Sequence, residues 1–278
     1  MSGKRRVLIT GAAGAIGTGF AQWAHESYEL RLLDLPGRFT ENHATLGNLI
    51  ECDIRDLDAL KAAFSGVDTV IHLGGERRPS ALWDDLLTLN IVGTYNATAA
   101  AIACGCRRLI YASSVHAVSG YPTGFHVRES DPVRPGDLYG VSKVFGEALG
   151  SYAAHSEGLS VVALRIGAFQ DPATIDEPEP GWMLKDFCAP IDLYRLIADS
   201  IDAEDIEFEI FNAVSGNLVS RLEMKKASRQ LGFVPEYDAF QLSSPFRNAL
   251  DAVGTLDDRA TLSGMRADIS PRSLTAQG

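Results

Sequence analysis

The chain has 278 residues, 46% of them hydrophobic and 8% aromatic, enough for one large domain or two merged ones around a substantial core. A net charge of -11, with no basic run beyond Lys4–Arg6, argues against an extended nucleic-acid footprint. No apolar stretch approaches the roughly 20 residues that span a bilayer, and the basic start meets glycine soon after Val7–Ile9. The expectation is therefore a cytoplasmic protein with no membrane partner and no signal peptide.

Short apolar runs alternate with helical patterns along the first half. Arg6–Thr10 predicts a strand, Ala15–Glu26 a helix, Glu29–Leu33 and Asn48–Cys52 two further strands, and Leu57–Phe64 a helix. Thr69–Leu73 predicts a fourth strand, Trp83–Cys104 a long helix, and Arg108–Tyr111, running on to Ser114, a fifth strand. The helical pattern Tyr139–His155 and the strand Ser160–Leu164 complete this half. Near-continuous apolar strands between helices mean a parallel sheet covered on both faces. Beyond Phe169 the prolines 172, 178, 180 and 190 break the chain into loops, and helical periodicity returns only over Ile191–Ile201 and Arg221–Leu231.

The expected fold is α/β, a doubly wound parallel sheet with a small C-terminal substrate-binding cap. Residues 1–168 form its nucleotide-binding core and carry the catalytic groups. Residues 169–256 supply substrate-side segments merged with that core, and 257–278 read as a polar tail, disordered or laid over it. The four cysteines have neither disulfide nor metal-ligand spacing, so reduced thiols and no metal are expected.

The first strand runs directly into Gly11-Ala12-Ala13-Gly14-Ala15-Ile16-Gly17, and a helix follows. Gly11 permits a tight turn, Gly14 lets a pyrophosphate approach the backbone, and Gly17 lets helix pack on strand. The free amides here, from Ala13 through Ala15 and Ile16, and the positive helix end face the phosphates. Asp34 ends the second strand, where a carboxylate accepts from both adenosine ribose hydroxyls and repels a 2′-phosphate; NAD is expected over NADP. The alternatives are a turn cap or a pair with Arg38, which would itself suit a 2′-phosphate. Asp53 with Ile54 is placed to hold the adenine, or Asp53 is simply solvated. Leu73-Gly74-Gly75 passes the nicotinamide-side ribose, and Asn90 braces that backbone, or both are structural.

Tyr139 and Lys143, one helical turn apart, share a face, so an ammonium lies near a phenol and favours its ionised form. Ser114 at the end of the fifth strand can donate to the reacting oxygen. A serine at a strand end or a Tyr-x-x-x-Lys spacing alone is common, but the ordered set of glycine turn, Asp34, Ser114, Tyr139 and Lys143 points to hydride transfer between a dinucleotide and a CH–OH or C=O carbon of a small molecule. His116 either faces that substrate or is solvated.

Together with Asn90–Asn96 and Leu164–Gly167, these motifs resemble the extended short-chain dehydrogenases of the NAD-dependent epimerase/dehydratase family, whose fold is the Rossmann type. Ala112–His116, Gly120–Pro122 and Phe145–Glu147 look most like the uronate dehydrogenases, a likeness that covers about residues 5 to 170. The resemblance implies oxidation of a hexuronate at its anomeric carbon, with Ser114, Tyr139 and Lys143 catalytic. It also implies departures: Val115 stands where that family has asparagine, Ala168 where it has serine, and Trp182 where its carboxylate-binding arginine falls. With Phe169 these suggest a less polar pocket, unless Arg77 or Arg78 replaces the arginine from another side or merely lies in a solvated turn. A homo-oligomer is implied by the same resemblance. The rival readings are a sugar epimerase or dehydratase that retains NAD, and a non-enzymatic dinucleotide sensor.

Overall fold

The computed structural model describes residues 3–122, 124–175, 183–245 and 248. Trp182 and the tail 257–278 lie outside the described residues. Elements follow in the order β1 (Arg6–Thr10), α1 (Ala15–Ala24), β2 (Glu29–Asp34), β3 (Asn48–Glu51), α2 (Leu57–Phe64), β4 (Thr69–His72), α3 (Trp83–Asp85), a π-helical segment (Leu86–Val92), α4 (Gly93–Ala103), β5 (Arg108–Ser114), α5 (Leu138–Glu157), β6 (Ser160–Ile166), β7 (Ala168–Phe169), β8 (Phe187–Cys188), α6 (Pro190–Asp202), β9 (Phe208–Ala213), α7 (Lys225–Leu231) and α8 (Ala239–Leu242).

Seven strands form one parallel sheet in the order β3-β2-β1-β4-β5-β6-β9. The chain winds outward from β1 to β3, then returns to β4 on the other side of β1, so the crevice where direction reverses lies at the carboxyl ends of β1 and β4. Both sheet faces are covered, which is why the strands read as apolar runs. Phe20, Leu32, Ile71, Ile110, Leu164 and Phe211 pack on one side with α1 and α6; Leu8, Leu33, Val70, Leu109 and Val161 pack on the other with α2, α4 and α5.

The edge strand β9 was not among the predicted strands. Its first three residues are only half-buried and include Glu209, so it lacks the apolar run of its neighbours. The helix predicted over Arg221–Leu231 begins only at Lys225, because Leu222 forms an isolated parallel bridge with Val127. The long predicted helix from Trp83 is interrupted by the π-helical segment. Its 21 residues, Trp83–Ala103, are long and apolar enough to cross a membrane by composition, yet half of their apolar window is buried inside the protein, with Asn90, Thr94, Asn96 and Thr98 among the buried side chains. All four cysteines are free; Cys52, Cys106 and Cys188 are buried and Cys104 half-buried, and burial pushes the Cys106 thiol up to about 12.

At the amino end of the sheet, two arginines close α6. Arg108 donates to the carbonyls of Ser200 and Ala203 at 2.5 Å each, and Arg107 to that of Ile201 at 2.7 Å while pairing with Asp68. Cations at a helix carboxyl end satisfy its orphan carbonyls and its dipole.

Candidate active site

The glycine turn is built for close approach. Gly11 has φ +69°, and a Cβ there would lie 2.8 Å from the amide nitrogen of Gly74; one at Gly17 would lie 2.6 Å from the Gly11 carbonyl oxygen. Gly14 starts α1 with no side-chain cap, and no acidic residue occupies the first turn, leaving the amide end open to an anion. The Asp34 carboxylate accepts from the Ala13 amide at 2.8 Å through one oxygen and from Leu35 at 2.8 Å through the other. It is thus tied to the phosphate turn it would serve, with lone pairs left for hydroxyl donors. This uncapped helix end, Cβ-free cradle and fixed carboxylate fit a dinucleotide.

Along the neighbouring wall, Leu73 and Gly74 donate to the carbonyl and hydroxyl of Thr10 at 3.2 and 3.1 Å. Ile54 is buried beneath Gly93, where a Cβ would clash with it, and its carbonyl accepts from Asn96. Asp53 is engaged by Arg55, whose hydrogen bonds hold its carboxyl below the usual range. His72 sits between Thr10 and Thr94, at 2.8 and 3.3 Å from their hydroxyls, and burial with the nearby Lys143 charge pulls it down to about 3. It is a neutral strut.

Asn90 is 1% exposed and fully used. Its oxygen accepts from the Glu76 amide at 2.7 Å, and its amide donates to the Glu76 carbonyl at 3.0 Å and to Ser142 Oγ at 2.9 Å. Ser142 in turn donates to the Tyr139 carbonyl. The predicted brace therefore joins the loop after β4 to the first turn of α5. Gly75, at φ +155°, leaves room for the Asn90 oxygen that a Cβ would strike at 2.8 Å.

Ser114, Tyr139 and Lys143 are brought together and buried. Ser114 ends β5 and hydrogen-bonds Tyr139. The Lys143 ammonium lies 5.5 Å from the Tyr139 ring centre and 5.4 Å from that of Tyr111, and donates to the Ala112 carbonyl at 2.8 Å. Burial pulls Lys143 down to about 8. Burial also pushes the Tyr139 hydroxyl up, with the Ser114 hydrogen bond pulling it back. In the protein alone desolvation thus outweighs the lowering expected from the lysine. Behind the triad, Gly146 makes room for the Tyr111 ring, and Glu147 pairs with Arg165.

Of the residues expected at the substrate, Val115 is buried, Ala168 and Phe169 are half-buried in the short β7–β8 pair, and Phe169 packs on Tyr194 at 6.2 Å. His116 stands edge-on to Tyr139, ring centres 5.4 Å apart, with Nδ1 2.6 Å from Asp137. Arg77 is exposed, whereas Arg78 is held by Glu76 at 2.8 Å, an ion pair that pulls Glu76 down to about 2.

Four charged groups of this region escaped the sequence reading: Glu76, Asp137, Asp186 and Arg221. Asp186 is buried, its carboxyl pushed up by burial and pulled back by Arg221 at 3.4 Å, and its backbone lies against Gly167, just beyond the register partner of Ser114. Arg221 also donates to the Val118 carbonyl. The Asp-x-Tyr spacing before α5 was the one local signal, since an aspartate there caps the helix.

Comparison with known proteins agrees with this geometry. A family profile described as "NAD dependent epimerase/dehydratase family" matches residues 7–175. The chain is 32% identical to L-arabinose 1-dehydrogenase (NAD(P)(+)) of Haloferax volcanii, over 83% of this chain and 96% of that protein. It is 31% identical to uronate dehydrogenase of Pseudomonas syringae pv. tomato, over 89% and 86%. The crystal structure of a tyrosine-to-alanine variant of uronate dehydrogenase from Agrobacterium tumefaciens, complexed with NAD, superposes with a TM-score of 0.78 at 29% identity, covering 88% of this chain and 89% of that one. The protein is an NAD-dependent oxidoreductase acting on a CH–OH group of a small molecule, and it belongs to the NAD-dependent epimerase/dehydratase family of extended short-chain dehydrogenases.

Proposed function

We propose that the enzyme oxidises the anomeric carbon of an aldose or uronic acid to a lactone, with Tyr139 as the base, Ser114 as donor to the reacting oxygen and Lys143 as the charge that steadies the phenolate. The observation that carries this reading is the buried Ser114–Tyr139–Lys143 cluster with His116 set edge-on beside it. When bound, NAD would supply the acceptor for the hydride that leaves the substrate carbon. Tyr139 takes the proton of the oxidised hydroxyl, and the hydrogen bond from Ser114 holds that oxygen at the phenol. The residues proposed to hold the dinucleotide are Gly11, Ala13, Gly14, Ala15, Ile16 and Gly17 at the phosphates, Asp34 at the ribose, Asp53 and Ile54 at the adenine, and Leu73, Gly74, Gly75 and Asn90 with Lys143 at the nicotinamide side.

His116, Val115, Ala168, Phe169 and Arg77 are proposed to line the substrate. The apolar members favour a second reading, oxidation of a less polar secondary alcohol. Residues 1–168 are proposed as the dinucleotide half and 169–256 as the substrate side. Absorbance at the reduced nicotinamide band, with L-arabinose, D-glucuronate, D-galacturonate and a series of secondary alcohols, tests these readings. Turnover of a sugar and loss of that turnover in Tyr139→Phe, with dinucleotide binding kept, is the expected result; turnover of the alcohols alone selects the second reading. Binding of NAD without turnover of any of them defeats both.

We further propose a cytoplasmic homo-oligomer that needs neither nucleic acid nor membrane. The exposed Tyr95, Leu138, Val141 and Tyr152 on α4 and α5 support a self-association face, which light scattering tests.

A further inference from the structure

Asp137 spends its two carboxylate oxygens on two different elements. One accepts from the Gly140 amide at 2.7 Å and starts α5, the helix that carries Tyr139 and Lys143. The other lies 2.6 Å from Nδ1 of His116, on the turn that follows Ser114. That turn is itself fixed, because the His116 amide donates to Ser114 Oγ and the His116 carbonyl accepts from Ser119 Oγ. Gly140 lies so close to the His116 backbone that a Cβ would meet its carbonyl oxygen at 2.3 Å.

A carboxylate can only accept, so the proton of the His116–Asp137 bond sits on Nδ1. In the neutral ring this leaves Nε2 bare, as an acceptor. The ring cannot reverse this polarity by flipping without giving up the carboxylate, and the edge contact with Tyr139 holds its plane. We propose that Asp137 is a positioning residue that, through His116, makes the substrate side of the site accept a hydrogen bond, and so selects substrates with a second hydroxyl beside the oxidised carbon. This rests on the reading of a polyhydroxylated substrate and adds which group recognises its neighbouring hydroxyl. A lone secondary alcohol has no such donor and leaves Nε2 unpaired against it.

The test uses two variants of the full chain. Asp137→Asn keeps the cap oxygen for Gly140 but turns an amide N–H toward His116, which drives the ring proton to Nε2 and converts the acceptor into a donor. Asp137→Ser keeps a helix cap and removes the contact with His116 altogether. Nitrogen-15 NMR, with the His116 signal assigned by loss in His116→Gln, reads the tautomer. Steady-state kinetics with L-arabinose and D-glucuronate read KM against kcat.

The expected result is a proton on Nδ1 in the parent and on Nε2 in Asp137→Asn. KM for the sugar should rise about tenfold or more in both variants, with kcat changed less than about threefold and NAD affinity unchanged. An unchanged tautomer in Asp137→Asn overturns the proposal. So does parental KM in both variants, which, with the cap kept in each, would mark Asp137 as a helix cap only. A parent that turns over neither sugar defeats the proposed function instead, and the tautomer measurement still decides this one.

Discussion

Arg165 grips both oxygens of Glu147 at 2.9 Å, in a place where their side chains keep 1% and 4% of their exposure. Ser113, next to Ser114, donates to the same carboxylate at 2.6 Å. Together the three side chains join α5 to β5 and β6 behind the Ser114, Tyr139 and Lys143 cluster.

Removing one partner from such a pair leaves a bare charge in the core. Glu147→Ala should therefore lose about 3–5 kcal/mol in urea unfolding, while a paired Glu147→Met, Arg165→Met replacement should lose clearly less. Equal losses in the single and double variants would mean that the charge itself is not what the core must neutralise.

His72 predicts an acid-labile fold. Its folded value is depressed to about 3 against an ordinary 6.5, so between those limits the unfolded chain binds more protons than the native one. The stability His72 contributes is present above pH 6.5 and is lost as pH falls toward 3. Between pH 6.5 and 5 this amounts to about 2 kcal/mol, which His72→Asn should not show; melting temperature against pH measures the difference.

Lys143 predicts a pH dependence of the same sign in the alkaline range. Its value of about 8 lies below the ordinary 10.5, so below pH 8 the native state carries a charged, desolvated ammonium, and stability from this group rises as pH increases from 8 to 10.5. Lys143→Met should abolish turnover yet stabilise the protein at pH 7 by about 1–3 kcal/mol, net of the lost bond to the Ala112 carbonyl. The gain should shrink toward pH 10. A variant less stable than the parent at pH 7 would contradict this account.

Asn90→Ala should cost about 2–4 kcal/mol, because it strands the Glu76 amide and carbonyl, and should weaken NAD binding by loosening the Gly75 loop. Calorimetric titration with NAD and thermal melts separate the two effects. Unchanged affinity at reduced stability would leave Asn90 a purely structural brace.

The first six strands and the glycine turn could be read from the chain because each rests on local chemistry: an apolar run, a glycine that must lack Cβ, an aspartate at a strand end. That Ser114, Tyr139 and Lys143 would come together was legible for the same reason. Long-range pairings were not. Asp137 finds His116 only once the turn after Ser114 and helix α5 are folded against each other, and Asp186 meets Arg221, far along the chain, only in the folded protein. Arg221–Met224 carries a helical pattern, yet the bridge from Leu222 to Val127 holds it extended. β9 hid because an edge strand with Glu209 in its middle does not look apolar.

The π-helical segment Leu86–Val92 has a consequence for insertions and deletions. Each helical residue turns the chain by about 100°, so one extra residue wound into this segment resets the rotational phase between Trp83 and Ala103. Asn90 can then face Glu76 and Ser142 while Ala97, Ala100 and Ala101 stay turned into the core beside α2. Deleting any single residue here would rewind the segment to a regular helix, and only one of those two faces could keep its register.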